Sequence, residues 1–141
     1  RLMCYIKGSV DLRMVGWVGG NPEDVYPVLY ADADFAGCPK TARSTSGVFL
    51  ALHGPSTRIP LQAISKRQSC VSHSTPEAEI VAADLALRTV GIPCVELWSA
   101  ILQRPNLTIE FQEDNQAMIQ TMINGRSPTM RHLGRTHRVD I

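Results

Sequence analysis

Residues 25–35 read Val-Tyr-Pro-Val-Leu-Tyr-Ala-Asp-Ala-Asp-Phe, and residues 47–52 read Gly-Val-Phe-Leu-Ala-Leu, closed by His53-Gly54-Pro55. The first run is β-prone and mostly apolar, with its aspartates held back to the end; the second is apolar throughout. Between them Ala-Gly-Cys-Pro-Lys-Thr-Ala-Arg-Ser has the composition of a turn. A third strand is predicted over residues 57–64, leading into the polar Ser-Lys-Arg-Gln-Ser. Turns this short imply an antiparallel meander.

Downstream the period changes. Ser74-Thr75-Pro76-Glu77 is a helix start: Thr75 can cap it, Pro76 suits its first turn, and Glu77 and Glu79 complement the helix dipole. Ile80, Ala83, Leu87 and Val90 keep the helical period until Gly91 and Pro93 interrupt it. A second helical stretch carries Cys94, Leu97, Trp98, Ile101 and Leu102 on one face. Residues 107–111 alternate as a strand, and Asp114-Asn115 opens a further helix, with Met118, Ile119, Met122 and Ile123, that stops at Asn124-Gly125. The order β-β-β-α-(α)-β-α predicts an α/β fold, a mixed α+β sheet with helices packed on it. Residues 1–24, rich in glycine near their end, read as a connector.

The chain has 141 residues, 44% hydrophobic and 19% charged, a globular composition that argues against disorder. Its longest apolar run, Val48 to Leu52, has five residues. A membrane span needs roughly twenty, so no transmembrane helix is expected. Cys4, Cys38, Cys70 and Cys94 are scattered without metal-ligand spacing and read as reduced thiols of an intracellular protein. The net charge of +1 conceals segregation. Residues 28–74 sum to +3, residues 75–124 to −5 and residues 125–141 to +3. An acidic middle between basic flanks suits a carboxylate cluster beside a cationic rim, as a metal-dependent enzyme acting on a polyanion requires.

Three carboxylates stand at element ends. Asp32 lies late in the first strand, Glu79 in the first turn of the long helix, and Asp114 just after the strand at 107–111. One sheet can aim all three at a common point, and hard cations such as Mg²⁺ take such oxygen ligands. Each also has a plainer reading: Asp114 as a helix cap, Glu79 as a surface residue on the dipole, Asp32 as an edge-strand polar residue.

Residues 30–50, Y-A-D-A-D-F-A-G-C-P-K-T-A-R-S-T-S-G-V-F-L, resemble the opening of ribonuclease H domains in copia-type LTR retrotransposon polyproteins, where Y-S-D-A-D-W-A-G-D…R-S-T-S-G-Y-V-F is typical. S-K-R-Q at 65–68 resembles that family's S-K-K-Q, and S-T-P-E-A-E at 74–79 its S-S-T-E-A-E. E-D-N-Q-A-M-I at 113–119 resembles C-D-N-Q-S-A-I, and R-T-H-R-V-D-I at 135–141 resembles R-T-K-H-I-D-I. The opening Y-I-K-G-S at 5–9 is similar to the Y-L-K-G-T tail of the reverse transcriptase connection. These motifs, in order, cover nearly the whole chain.

The resemblance implies a ribonuclease H-like fold, with residues 1–24 connecting from a preceding reverse transcriptase domain and residues 25–141 forming a C-terminally incomplete ribonuclease H domain, truncated before its last strand and helix. The opening at Arg1 without a Met agrees with a segment of a longer polypeptide. The implied activity is endonucleolytic hydrolysis of the RNA strand of RNA–DNA hybrids during reverse transcription. By motif, Asp32, Glu79 and Asp114 are the implied catalytic and metal-binding residues for Mg²⁺, with Mn²⁺ as substitute; Asp34 and Glu77 rank below them. Lys66, Arg67, Arg43 and Lys40 are implied to hold phosphates, and Asn115 and Gln116 to reach the minor groove, where 2′-hydroxyls distinguish RNA. The implied partners are the hybrid and the covalently linked reverse transcriptase domain, without a membrane. The implied location is intracellular, in a cytoplasmic retroelement particle or the nucleus. The family's fourth carboxylate falls in a helix not represented before Ile141, and Asp140 matches a different motif. Phe35 and Ala63 stand where the family has Trp, and His137-Arg138 replaces Lys-His. The competing expectations are a catalytically silent domain that binds hybrid or braces its neighbour, and another nuclease or integrase of the same superfold.

Overall fold

In the computed structural model, which describes residues 2–125 and 128–139, β1 (Tyr26–Asp34) has a hydrogen-bonded partner on each side. It pairs antiparallel with β2 (Thr45–Gly54), which pairs antiparallel with β3 (Thr57–Arg67), so the expected meander forms. On its other side β1 pairs in parallel with β4 (Glu110–Gln112). The order β3-β2-β1-β4 is therefore a four-stranded mixed sheet. β3 runs through Ser65-Lys66-Arg67, further than its apolar residues predict, because β2 offers Gly47, Ser46 and Thr45 as ladder partners. β4 is shorter than the alternation at 107–111 predicts. Leu107 is buried, but its N–H closes a turn onto Arg104 rather than joining the ladder.

The residues of β1 divide by parity. Leu29, Ala31 and Ala33 face α2 (Thr75–Ala86), packing with Val48 and Leu50 of β2 against Ala78, Ala82 and Ala86. Alanine at i, i+4 and i+8 gives α2 a flat face that can approach the sheet closely. The predicted stripe at Ile80 and Ala83 is buried too, but against Met118, Leu133 and Val139 in a second cluster. α2 is thus covered on two sides. Its cap is Ser74, whose hydroxyl accepts from the Glu77 N–H, rather than the expected Thr75, which is the first helical residue.

Gly91 and Pro93 do not break the helix. Residues Leu87–Gly91 form a π-turn with helical dihedrals on either side, and α3 (Ile92–Ile101) continues from it. Pro93 has no N–H to donate, and the wider turn carries the chain past that gap. Gly91 lies close over the sheet, where an added Cβ would fall 3.0 Å from Leu29 Cδ2. On α3 only part of the predicted apolar face is used: Cys94 is buried, whereas Leu97 and Ile101 are exposed. α4 (Gln116–Asn124) ends as predicted, with Gly125 in the left-handed conformation at φ 64°. Residues 2–24 contain some regular structure. Leu2–Gly8 form α1, which buries no side chain, and Trp17 makes a two-bond antiparallel bridge to Arg58 at the edge of β3. Asp140 and Ile141, the end of the last family-like motif, lie outside the described residues. Among the described residues no helix is long and apolar enough to cross a membrane.

The C-terminal segment, including α5 (Leu133–Thr136), is held by Glu77. This carboxylate is 1% exposed; its Oε1 lies 3.1 Å from His132 Nε2 and 3.2 Å from His137 Nε2, and its Oε2 accepts from the His73 N–H at 2.9 Å. Removing an acceptor that satisfies three donors leaves buried polar groups unpaired. Glu77→Ala is expected to cost about 2–4 kcal/mol in urea unfolding and to expose the amides of residues 133–139 to hydrogen exchange. A variant as stable as the wild type would show that this knot does not anchor the segment.

Candidate functional site

β1 and β4 are parallel, so their carboxyl ends open on the same edge of the sheet. The register Tyr30↔Gln112 places the chain leaving β4, Glu113 and Asp114, beside Asp32 of β1. Asp32 and Asp114 are exposed, and together with Glu113, Tyr30, Ala31 and Gln112 they line a cleft of ≈ 350 Å³. A crevice outside the carboxyl ends of parallel strands is where open α/β sheets bind ligands.

Glu79 reaches this edge from the helix. It is 4% exposed, and its carboxyl accepts a hydrogen bond from the Ala33 backbone N–H, beyond the point where β4 stops. Its Oε2 is buried without a hydrogen-bond partner. Burial first, then the negative charges of Glu113, Asp32 and Asp114, push its pKa up to about 7. Glu113 is the member that the sequence reading passed over. Its Oε1 accepts from the Asn115 N–H at 3.0 Å, its Oε2 is buried and unpartnered, and burial is the main force raising its pKa. Its signal in the sequence is only its position before Asp114.

Asp32, Glu79 and Asp114 therefore stand in one electrostatic neighbourhood, with Glu113 among them. Among the described residues, however, no group of three or more His, Cys, Asp or Glu side chains could hold a metal ion as it stands. By donor chemistry the cluster suits a hard divalent cation. Carboxylates are the ligands such ions take, and two buried carboxyl oxygens here have no hydrogen-bond partner.

The other expected site residues divide. Asp34 is the last residue of β1, and its carboxylate folds over the following turn against Gly37, where an added side chain would collide with it. Glu77 is occupied by the histidines. Asn115, not Asp114, caps α4: its Oδ1 accepts from the Met118 N–H at 3.0 Å. Gln116 is exposed in the first turn of that helix. Lys66 and Arg67 are exposed at the end of β3, and Arg67 shares a cross-strand row with Thr45 and Asp34. Two strand spacings, about 10 Å, separate Arg67 from Asp34 in that row. Lys40 and Arg43 are exposed on the β1–β2 turn. Gln68 has a structural part: its amide donates to Ser46 Oγ at 3.1 Å and to the Ala78 carbonyl at 2.9 Å, tying the end of β3 to the start of α2.

No protein-family model, curated protein or solved structure matches the chain.

Because the Glu79 pKa is raised by folding, the native state favours its neutral form. The stability this contributes is fully present below the ordinary value of 4.5 and is lost as pH rises through about 7. Glu79→Gln keeps the acceptor for Ala33 and removes the charge. Without divalent cations, the variant should exceed the wild type in stability by up to about 3 kcal/mol at pH 8, with the gap closing toward pH 5. Urea midpoints measured across that range test this, and a gap independent of pH would contradict it.

Proposed function

We propose that the chain is a ribonuclease H-type endonuclease of a retroelement polyprotein, cleaving the RNA strand of RNA–DNA hybrids, with Mg²⁺ or Mn²⁺ as cofactor. The observation that carries the reading is Glu79: a buried carboxylate with an unpartnered oxygen, beside Asp32 and Asp114 at the carboxyl ends of two parallel strands. The family-like motifs that supply these three residues support it. So does a strand order in which the antiparallel meander precedes a parallel strand beside β1. On this reading the fold is ribonuclease H-like, residues 1–24 connect from a reverse transcriptase domain, and the setting is intracellular, in a retroelement particle or the nucleus.

Asp32, Glu79 and Asp114 would hold the cation. Glu79 is fixed by Ala33, while the exposed Asp32 and Asp114 have room to turn toward it. When bound, the cation supplies Lewis acidity that generates a hydroxide nucleophile and stabilises the leaving oxygen. Lys66 and Arg67 at the end of β3, with Arg43 and Lys40 on the neighbouring turn, bind phosphates and hold the hybrid across the sheet edge. The Asn115 amide and Gln116, next to Asp114 in the chain, would contact the minor groove.

In a hybrid cleavage assay with Mg²⁺ or Mn²⁺, the chain should yield 5′-phosphate ends. Asp114→Asn should slow cleavage by about 10²–10³-fold, the usual effect of removing one electrostatic stabiliser of a transition state. The loose arrangement of the carboxylates favours one other reading, a catalytically silent domain that binds hybrid or braces a neighbouring domain. Hybrid binding without cleavage in either cation would establish it. Hybrid affinity should fall steeply with salt, and Lys66→Ala/Arg67→Ala should lower the log–log slope by up to about two units. An unchanged slope would show that these two residues do not meet phosphate.

A further inference from the structure

Glu113 sits on the boundary between two environments. On one side it lines an apolar groove with Ala83 and Leu87 of the long helix, Phe111 of β4 and Met118 of α4. On the other it lines the acidic cleft with Asp32 and Asp114. Its hydrogen bonds are local, from the backbone N–H groups of Asn115, which reaches Oε1 at 3.0 Å, and of Asp114. Those bonds turn the carboxyl back over the start of α4 and leave Oε2 buried and unpartnered. Glu79 is in the same condition, held through one bond to β1 with its own Oε2 buried and unpartnered. The charges of Asp32 and Asp114 act on each of these glutamates, favouring its neutral form.

A surface carboxylate has water for both oxygens, and a structural buried one has donors for both, as Glu77 does. Glu113 has neither at Oε2. Burying an ionised carboxylate without compensation is costly enough that such groups are rare unless they are neutralised or bind a cation. The cluster is asymmetric: a buried Glu79 and a half-buried Glu113, both held by backbone N–H groups, and two exposed aspartates. That division suits a cation site whose inner wall is rigid and whose outer wall adapts.

We propose that Glu113 is a fourth carboxylate ligand of this site, forming with Glu79 the inner wall that holds a hard divalent cation against Asp32 and Asp114. The inference rests on the reading that the acidic cleft takes such a cation, and it adds a ligand to the three that the motifs indicate.

The test is direct Mn²⁺ binding to the full chain near neutral pH, followed by loss of the free-ion electron paramagnetic resonance signal, with no nucleic acid present. Glu113→Gln keeps the size of the side chain and the acceptor for Asn115 while removing the charge. Removing groups that only support a ligand commonly weakens metal affinity 10–100-fold, so loss of a ligand should raise the Mn²⁺ Kd at least about tenfold. Glu96→Gln, on the exposed surface of α3, should leave it unchanged. If the Gln variant does not fold, Glu113→Met gives an apolar side chain of similar length beside Phe111 and Met118, and the same weakening is expected. Wild-type binding with equal affinity in the folded Glu113 variant would overturn the assignment while leaving the three-carboxylate reading in place. No Mn²⁺ binding by the wild type would overturn both.

Discussion

The close seating of α2 on β1 is the contact on which the site depends. Ala78, Ala82 and Ala86 lie against a strand whose inward residues include Ala31 and Ala33. Small residues on both surfaces bring the helix near enough for a side chain from its first turns to reach a strand N–H. Glu79 uses that reach to bond Ala33. Larger residues at Ala78 or Ala82 would push the helix outward and withdraw Glu79 from the edge where Asp32 and Asp114 emerge. Gln68 fixes the remaining freedom, since its amide holds the Ala78 carbonyl while bonded to Ser46 of β2. The site is therefore a consequence of the packing of neighbouring small residues.

Glu77 and Glu79 show how burial alone fails to identify a functional carboxylate. They lie two residues apart, and both are almost fully buried. Glu77 meets His132, His137 and the His73 N–H, so both of its oxygens are occupied. Glu79 has Ala33 on one oxygen and like charges around the other. The first arrangement satisfies the charge and closes the C-terminal segment onto the helix. The second leaves an electrostatic demand that only a proton or a cation can meet, and the pKa near 7 expresses that demand directly.

Much of the architecture was legible in residues 25–64, because alternation and turn chemistry act locally and agree with each other. The helix start within Ser74–Glu77 and the stop at Gly125 were readable for the same reason, although the cap itself falls on Ser74 rather than Thr75. What the sequence hid depends on tertiary geometry. Nothing local says that Gly91 and Pro93 would be absorbed by a π-turn, because that outcome is decided by the fit of Gly91 over Leu29. The polar end of β3 joined the ladder because β2 had partners to offer. Glu113 went unnoticed because its environment, buried on one side and acidic on the other, exists only once β4, α2 and α4 meet.

The distribution of charge follows from the same topology. A meander places the ends of β1 and β3 on one edge of the sheet, with β2 between them, so Asp32 and Asp34 are separated from Ser65 and Arg67 by one strand. The parallel strand on the other side of β1 brings Glu113 and Asp114 to that edge as well. Acidic residues thus gather at the β1–β4 end and cationic residues at the β3 end and the β1–β2 turn, within a span of a few strand spacings. A polyanion laid along this edge would meet Lys66 and Arg67 at one end and the carboxylates at the other. Screening at ordinary ionic strength acts over about 8–10 Å, comparable to the two strand spacings that separate these groups, so attraction at one end would survive repulsion at the other. Neutralising the acidic end with a divalent cation would remove that repulsion, coupling cation occupancy to how closely the backbone of a bound strand can approach Asp32.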